Sequence, residues 1–368
     1  MARQARQARQ TPDRETAADT DRPRASAPRE NRSWLWSLGI GIVILAIIGL
    51  IPLSGDQSAL SLWTFILMYC VLAQSWNFIG GFAGRAAFGN VAFFGIGAYT
   101  VSLLLLQNKP YWLGLALAPI IAGAFAFLLG LPVLRLKGHY FAIATLGVAA
   151  ALGEIIQAKN VGAPAGEISL TPPDLNFQIS NALFFYGFLV VSLLTLLGTA
   201  WLTRTRFGYA LVAIRENEQA AESLGIATYW YKVGAFVLSA IPTAIAGGLF
   251  AYWQLSFDPV GEGGAFDVTI SVAMILMTFL GGAGTIIGPL LGAIIIEYLD
   301  QYTSIAFTSI HGPLLGALII LVTIFLPQGL VRLVQELLRS PAGVKQSYPM
   351  RIKQGVRRVT RFILSNGV

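Results

Sequence analysis

The chain has 368 residues, of which 55% are hydrophobic and only 12% are charged, and its mean hydropathy is +0.66. Soluble domains carry about 25% charged residues, so this composition argues against a soluble globular enzyme. The single cysteine, Cys70, excludes an internal disulfide, and one thiol with two histidines cannot form a His/Cys zinc cluster. The net charge of +7 does not indicate nucleic acid as a partner, because eight Lys or Arg residues lie in 1–33 and eight more follow Val331, outside the apolar body.

Long apolar runs without alternation predict membrane-spanning helices, since lipid tolerates only helices and closed barrels that satisfy their own backbone polar groups. We therefore expect an all-α polytopic membrane protein with about ten transmembrane helices, within a range of eight to ten. The eighth and ninth are short, meet at 281–284 and are also compatible with a re-entrant pair. The predicted spans are 34–53, 62–79, 87–106, 112–134, 139–157, 182–202, 232–252, 267–281, 285–299 and 313–331.

The distribution of basic residues predicts the orientation of these helices. With the N-terminus inside, the internal segments hold 23 of the 25 Lys and Arg residues, and the external loops hold only Lys109 and Lys159. The reverse orientation would place those positive charges outside, which the positive-inside rule disfavours. Both termini are therefore predicted to be cytoplasmic. The internal segments are 1–33, 80–86, 135–138, 203–232, 282–284 and the C-terminal tail.

The two ends of the chain differ from the middle. Residues 1–33 repeat the triplet ARQ and contain few apolar side chains, so we expect a disordered basic cytoplasmic tail that is too polar for a signal peptide. Residues 34–331 form the predicted transmembrane domain, and 332–368 form a second basic cytoplasmic tail. Within that tail, 351–364 combine apolar and basic residues at helical spacing, which predicts either an amphipathic helix on an anionic leaflet or a solvated tail.

The longest connection between predicted spans on the internal side, 203–232, predicts a compact amphipathic helix at the cytoplasmic surface. Gly225 followed by Ile226 is typical of a glycine C-cap. This helix either merely connects two spans or docks a soluble partner, with the small residues Ala220 and Ala221 permitting close approach. The predicted apolar stripe consists of Leu211, Ile214, Ala221 and Leu224. A different, charged face holds Arg215, Glu218 and Glu222.

Two glycine clusters lie near the predicted inner ends of spans. Glycine lets helices approach closely and lets the backbone unwind where it lines a cavity, so both clusters are candidates for the lining of a translocation path. Tight helix packing is the alternative interpretation of each glycine. The candidate path residues are Asn77, Gly80, Gly81, Gly84, Gly89, Asn90, Phe93, Phe94, Gly97, Gly281, Gly282, Gly284, Gly288 and Pro289.

Charge within the predicted spans is nearly absent, and the nearest carboxylates, Glu154 and Glu297, lie near predicted outer ends. An ion-coupled carrier usually needs a carboxylate relay near mid-membrane, so we expect the driving force to come from elsewhere. The sequence has no phosphate loop of the GxxxxGK[ST] type, and the chain is therefore not expected to hydrolyse ATP itself. His139 and His311 lie at opposite predicted boundaries, so we expect no catalytic or metal site.

Four ordered blocks of the sequence carry a family resemblance. Residues 219–225, QAAESLG, resemble the EAA loop of ABC-importer permeases, with Gln in place of the first Glu. The surroundings of this loop, together with the blocks 77–100, 134–147 and 279–293, resemble the LivM family of branched-chain amino acid permeases. The blocks follow the family order and cover most of 75–330.

The sequence departs from that family pattern at two places. Residues 85–90, RAAFGN, stand where the family usually has a Gln-x-Ser-x-Gly-His stretch, and His139 replaces the usual acidic residue before Tyr140. These departures leave the family resemblance intact and leave the substrate open.

The resemblance implies the transmembrane permease subunit of an ATP-driven importer of branched-chain or neutral amino acids, without catalytic activity of its own, in the bacterial inner membrane. It also implies a second permease of the LivH type, two ATPase subunits of the LivG/LivF type and a periplasmic or lipoprotein substrate-binding protein as partners. ATP and magnesium would bind to the ATPase subunits, so no cofactor is expected on this chain. An importer of urea or short amides and an ion-coupled secondary carrier are the alternatives. The residues implied in coupling are Arg215, Glu216, Glu218, Ala220, Ala221, Glu222, Leu224 and Gly225.

Overall fold

A computed structural model of the chain describes residues 33–136, 138–162, 164–171, 177–261, 263–306 and 329–331. The chain divides into two units, 1–36 and 37–368, and all the packing described below belongs to the second. The predicted span 313–331, apart from its last three residues, lies outside the described residues. The C-terminal tail and all but the last residue of the N-terminal tail lie outside them as well.

The described residues form eleven α-helices and one short antiparallel β-ribbon, in which Ile168 lies opposite Phe257. A 3-10 turn, Ile51–Ser54, follows the first helix, and α2 continues as a π-helical segment, Phe78–Phe82. A further 3-10 turn, Pro164–Gly166, precedes the first strand. The elements are α1 Ser33–Ile48, α2 Gln57–Asn77, α3 Val91–Leu106, α4 Tyr111–Val133, α5 His139–Ala158, β1 Ile168–Ser169, α6 Phe177–Leu202, α7 Arg206–Glu216, α8 Glu218–Ser223, α9 Thr228–Gln254, β2 Ser256–Phe257, α10 Val268–Gly281 and α11 Gly288–Ala306.

Six helical stretches among the described residues are long and apolar enough to cross a membrane. Two shorter apolar helices, α3 and α10, add to them. The prediction of a mostly helical, multi-pass membrane protein is confirmed, whereas the count of ten spans and the cytoplasmic termini stay predictions. The six stretches are Trp34–Leu53, Gln57–Phe82, Tyr111–Val133, His139–Ala158, Asn181–Leu202 and Thr228–Gln254.

Side-chain caps fix where several helices begin. The Asp56 carboxylate accepts a hydrogen bond from the Ser58 amide at the start of α2 (2.9 Å), and Asp267 accepts one from the Thr269 amide at the start of α10 (2.9 Å). A cap satisfies backbone donors that have no partner within the helix, and it thereby sets the first residue.

Close backbone contact between α3 and α9 organises the centre of the bundle. A Cβ atom on Gly97 would overlap the Ala244 carbonyl, and a Cβ atom on Gly247 would overlap the Phe94 carbonyl. Aromatic rings fill the space beside this contact, with the Phe93 and Phe236 centroids 5.1 Å apart. Lipid is as apolar as these side chains, so helices in a membrane associate through close packing of this kind.

The connections between helices meet at two ends of the bundle, and we call the end that holds α7 and α8 the α7–α8 end. There Gly81 approaches Gly284, and the Arg135 guanidinium lies 5.9 Å from the Tyr229 ring centroid. The first contact joins the predicted internal loops 80–86 and 282–284, and the second joins the predicted internal loops 135–138 and 203–232. At the opposite end β1 pairs with β2, and the Tyr99 hydroxyl donates to the Gly166 carbonyl (2.6 Å).

Candidate coupling site

The loop between α6 and α9 folds into two helices. Thr205 caps α7 by accepting a hydrogen bond from the Gly208 amide (3.2 Å). Asn217 then ends α7 with extended backbone and begins α8, because its Oδ1 accepts from the Ala220 amide (3.1 Å). The prediction of one continuous helix is therefore wrong. An asparagine side chain that bonds nearby backbone competes with the helical ladder, and here it starts a new helix.

Gly225 ends α8 as the sequence predicted. Its φ of +82° is left-handed, a conformation that glycine adopts without a steric penalty. The Gly225 amide donates to the Glu222 carbonyl (2.9 Å), and the Ile226 amide donates to the Ala221 carbonyl (3.1 Å). This pair of hydrogen bonds is a Schellman motif, which turns the chain toward α9.

The predicted apolar stripe is confirmed at three positions and wrong at the fourth. Leu211, Ile214 and Ala221 are buried, whereas Leu224 is 82% exposed, because α8 ends before it. Burial of Ala221 also corrects the suggestion that this residue permits close approach of a partner. Ala220 is exposed and keeps that possibility.

Glu218 links α8 to two other segments through ion pairs. It accepts from Arg85, in the segment between α2 and α3, and from Lys232, in the second turn of α9. The Lys232 side chain is only 5% exposed. Partial burial raises the pKa of Glu218, but the hydrogen bond from Lys232 and the positive charge of Arg85 outweigh it, so the pKa lies below its usual value. Glu218 therefore carries its negative charge throughout the neutral pH range.

Arg215 links α7 to the first glycine cluster. Its guanidinium donates to the Gly81 carbonyl (2.8 Å) and to the Glu216 carboxylate (3.0 Å). The side chain lies so close to Gly84 and Gly284 that a Cβ atom on either residue would overlap it. Both glycines also have a left-handed φ (+68° and +77°), so a side chain at either position would strain the backbone and displace Arg215.

Asn77 links the two glycine clusters to each other. Its Oδ1 accepts from the Gly284 amide (2.8 Å), and its Nδ2 donates to the Thr285 carbonyl (3.1 Å). The structure thus brings Gly81, Gly84 and Gly284 together with Arg215, although the two clusters are about 200 residues apart in the sequence.

The remaining candidate path residues lie in packed contacts. Gly89 lies against the Thr145 carbonyl, Gly281 against the Gly288 carbonyl, and Gly80 against the Trp76 ring. In these positions glycine serves close packing, the alternative that the sequence left open. Four further candidate path residues are buried at the start of α3 or within it: Asn90, Phe93, Phe94 and Gly97. Gly282 lies in the turn between α10 and α11, and Pro289 lies in the first turn of α11.

A cleft of about 620 Å³ opens beside the α7–α8 corner. Its walls come from 83–88, from the first residues of α5 and from the α7–α8 corner, and they carry charges of both signs. Arg85 and Lys232, the two partners of Glu218, also belong to the candidate coupling site and were not among its predicted residues. A lysine one turn inside an apolar helix was the available signal.

Among the described residues, no group of three His, Cys, Asp or Glu side chains could hold a metal ion.

Comparison with known proteins agrees with this architecture. Residues 58–323 match the family described as the permease component of branched-chain amino acid transport systems. The chain belongs to this family. The LivM proteins of the high-affinity branched-chain amino acid transport system are similar permeases: that of Salmonella typhimurium LT2 is 29% identical over 79% of this chain and 74% of its own length, and that of Escherichia coli K12 is 29% identical over 83% and 76%.

A permease of the autoinducer 2 import system, LsrC of Yersinia enterocolitica, is 32% identical over 56% of this chain and 57% of its own length. The relatives of the present chain therefore belong to transport systems that are named for different cargoes. No solved structure matches the chain significantly.

Proposed function

We propose that this permease is the transmembrane subunit of an ATP-driven ABC importer for branched-chain or neutral amino acids, and that α7 and α8 receive the force of the cytosolic ATPase subunits. The observation that carries the proposal is the Arg215 contact with the Gly81 carbonyl (2.8 Å), which ties the loop to the glycine segment after α2. The same guanidinium lies against Gly284, in the glycine segment after α10. A displacement of α7 would therefore act directly on those helix ends.

The α7–α8 corner has the two surfaces that such a lever needs. On its inner side, Arg215 and Glu218 hold it to the membrane-spanning helices through buried or half-buried contacts. On its outer side, Leu224 and Ala220 are exposed. An exposed leucine beside a small residue, at the tip of an otherwise polar turn, suits a groove on a protein partner.

The proposal includes the partners that such an importer requires. Two ATPase subunits would hold ATP and magnesium, a second permease would complete the membrane part, and a binding protein would deliver substrate on the outer side. The permease itself would bind no cofactor and catalyse no reaction, and it would reside in the bacterial inner membrane.

Docking is tested by Leu224→Asn, with Leu53→Asn as its matched control. Leu53 is 79% exposed but lies at the opposite end of the bundle. We expect Leu224→Asn to lower co-purification of the ATPase subunits about tenfold, because it removes the apolar anchor. Leu53→Asn should leave co-purification unchanged. Equal behaviour of the two variants would reject the docking surface.

Coupling is tested separately by Arg215→Lys, with Arg206→Lys as control on an exposed residue of the same helix. Lysine keeps the charge but lacks the planar fork with which arginine reaches the Gly81 carbonyl. We expect Arg215→Lys to keep ATPase binding and to lose most ATP-dependent uptake of labelled leucine into proteoliposomes. Normal uptake by this variant would show that the contact does not transmit force.

Similarity to LsrC favours a second candidate, the same importer architecture with a different cargo. Competition assays on the reconstituted importer with its binding protein distinguish the cargoes. Leucine, isoleucine and valine should displace labelled leucine, whereas urea and short amides should not. Uptake driven by an ion gradient in vesicles without ATP would instead favour a secondary carrier.

A further inference from the structure

A row of polar side chains lies in the interface between α2 and α6. Gln74 projects from α2, whereas Ser192, Thr195 and Thr199 project from α6, and all four residues are at most 5% exposed. Both helices belong to stretches that are long and apolar enough to span a membrane. Polar groups in such surroundings need partners within the protein, because bulk water is absent.

Hydrogen bonds satisfy this row unevenly. Thr195 Oγ1 lies 2.9 Å from Gln74 Oε1 and 2.9 Å from the Ser192 carbonyl, so its single proton serves two acceptors. Thr199 Oγ1 donates to the Thr195 carbonyl (2.8 Å). Gln74 Nε2 and Ser192 Oγ find no hydrogen-bond partner in the part of the chain that the structure describes. Among the described residues, the interface thus holds one unpaired amide atom of Gln74 on α2 and one unpaired hydroxyl, that of Ser192, on α6.

The spacing on α6 places these hydroxyls on one face, in successive turns. Ser192 precedes Thr195 by three residues, and Thr199 follows by four, so neighbouring hydroxyls are about 5 Å apart along the axis. If α6 moved by one turn toward the α7–α8 end, Ser192 would take the place that Thr195 occupies now. Ser192 Oγ would then lie within hydrogen-bonding distance of the Gln74 amide, and both unpaired groups would gain a hydrogen-bond partner.

The two helices of this interface connect to different parts of the candidate coupling site. α6 runs into α7 through the short turn 203–205, and Gly208 of α7 lies directly against the Leu202 carbonyl. α2 runs into Asn77, which binds the turn between α10 and α11. A force on α7 therefore acts along α6, whereas α2 is anchored to the second glycine cluster.

We propose that Gln74 and the three hydroxyls of Ser192, Thr195 and Thr199 form a register switch between α2 and α6. In the register seen here Gln74 pairs with Thr195, and in the second register α6 has moved by one turn and Gln74 pairs with Ser192. One-turn shifts of this kind convert small forces into two discrete states, because the packed positions between them are unfavourable. The proposal rests on the proposed function, since the ATPase subunits supply the force that moves α6.

Disulfide trapping tests the two registers directly. In a Cys70→Ala chain reconstituted with its ATPase subunits, Gln74→Cys is combined with either Thr195→Cys or Ser192→Cys. The first pair should cross-link without nucleotide. The second pair should cross-link faster after trapping with ATP and vanadate, and the first pair more slowly. Cross-linking rates that do not change with nucleotide would overturn the switch.

Removal of single hydroxyls provides a second test. Ser192→Ala deletes a hydroxyl without a partner in this register, so a merely structural role predicts no effect. The switch predicts about a tenfold loss of ATP-dependent uptake, with unchanged amounts of protein and of bound ATPase. Ser102→Ala is the matched control, because the Ser102 hydroxyl is likewise buried without a partner among the described residues but lies on α3.

The outcomes separate this proposal from the proposed function. A reconstituted complex that hydrolyses ATP and transports leucine, but in which Ser192→Ala behaves like Ser102→Ala, would overturn the register switch alone. A chain that binds no ATPase subunits at all would reject the proposed function, and the force for the switch with it.

Discussion

Glu218→Gln tests the ion pairs that hold α8 to the membrane-spanning helices. The substitution keeps the size of the side chain and removes its charge, which leaves the Arg85 and Lys232 cations facing each other. Their side chains are 12% and 5% exposed, whereas Glu218 is 30% exposed. Removal of one partner from a buried pair costs about 3–5 kcal/mol, and exposed pairs contribute about 0–1 kcal/mol. Because water reaches Glu218 in part, we expect a loss of about 2–3 kcal/mol in the free energy of unfolding.

A double-mutant cycle with Lys232→Met identifies the source of this cost. Lys232→Met removes the buried cation and leaves Glu218 paired with Arg85, so it should cost only about 0–1 kcal/mol. In that background Glu218→Gln no longer strands a buried lysine and should cost at least 1 kcal/mol less, roughly the coupling expected of directly contacting residues.

The native cysteine provides the assay. Cys70 is fully buried, so a thiol-reactive fluorophore reports unfolding of the detergent-solubilised protein during a thermal ramp. Glu216→Gln is the control, because this carboxylate is 72% exposed and its pairing with Arg215 should contribute little. If Glu218→Gln lowers the unfolding midpoint no more than Glu216→Gln does, or equally in both lysine backgrounds, the pair does not stabilise the corner.

The pH dependence of Glu218, the packing of Gly97 and the left-handed backbone of Gly225 can each be tested separately. Folding lowers the pKa of Glu218, so its contribution to the stability of the folded chain should be fully present above the unfolded-state pKa of 4.5. This contribution should be lost as the pH falls through the lower pKa of the folded state. The difference in unfolding midpoint between the unsubstituted chain and Glu218→Gln, measured against pH, checks this. Gly97→Ala should lower the free energy of unfolding by about 1–3 kcal/mol or prevent folding, because the new Cβ would overlap the Ala244 carbonyl. Gly147→Ala should be nearly neutral, because there is open space around its Cβ. The folded yield of the two variants, measured by size-exclusion chromatography, compares them. Gly225→Ala should cost about 1 kcal/mol through its left-handed φ, and a midpoint equal to that of the unsubstituted chain would contradict the strain.

Local sequence predicted the features that neighbouring residues control. The glycine C-cap predicted at Gly225 is the Schellman turn, which depends only on backbone groups within a few residues of one another. The sequence signal failed where two local preferences competed. Asn217 is compatible with a helix interior but also caps α8, and the apolar spacing that included Leu224 assumed a helix that in fact ends at Ser223.

The sequence by itself determined that this chain is a membrane protein and which loops lie at the same end of the bundle. Composition and charge carry this information, because each segment's residues suit the lipid or the water around it. It did not determine which faces of the helices meet. In water an apolar stripe marks the buried face, but in lipid the exposed and buried faces are equally apolar, so periodicity does not distinguish them. Only the tertiary structure decided that Gly97 contacts α9, that Lys232 pairs with Glu218, and that Asn77 holds the second glycine cluster. Each of these contacts depends on the shape of a partner helix that local sequence does not describe.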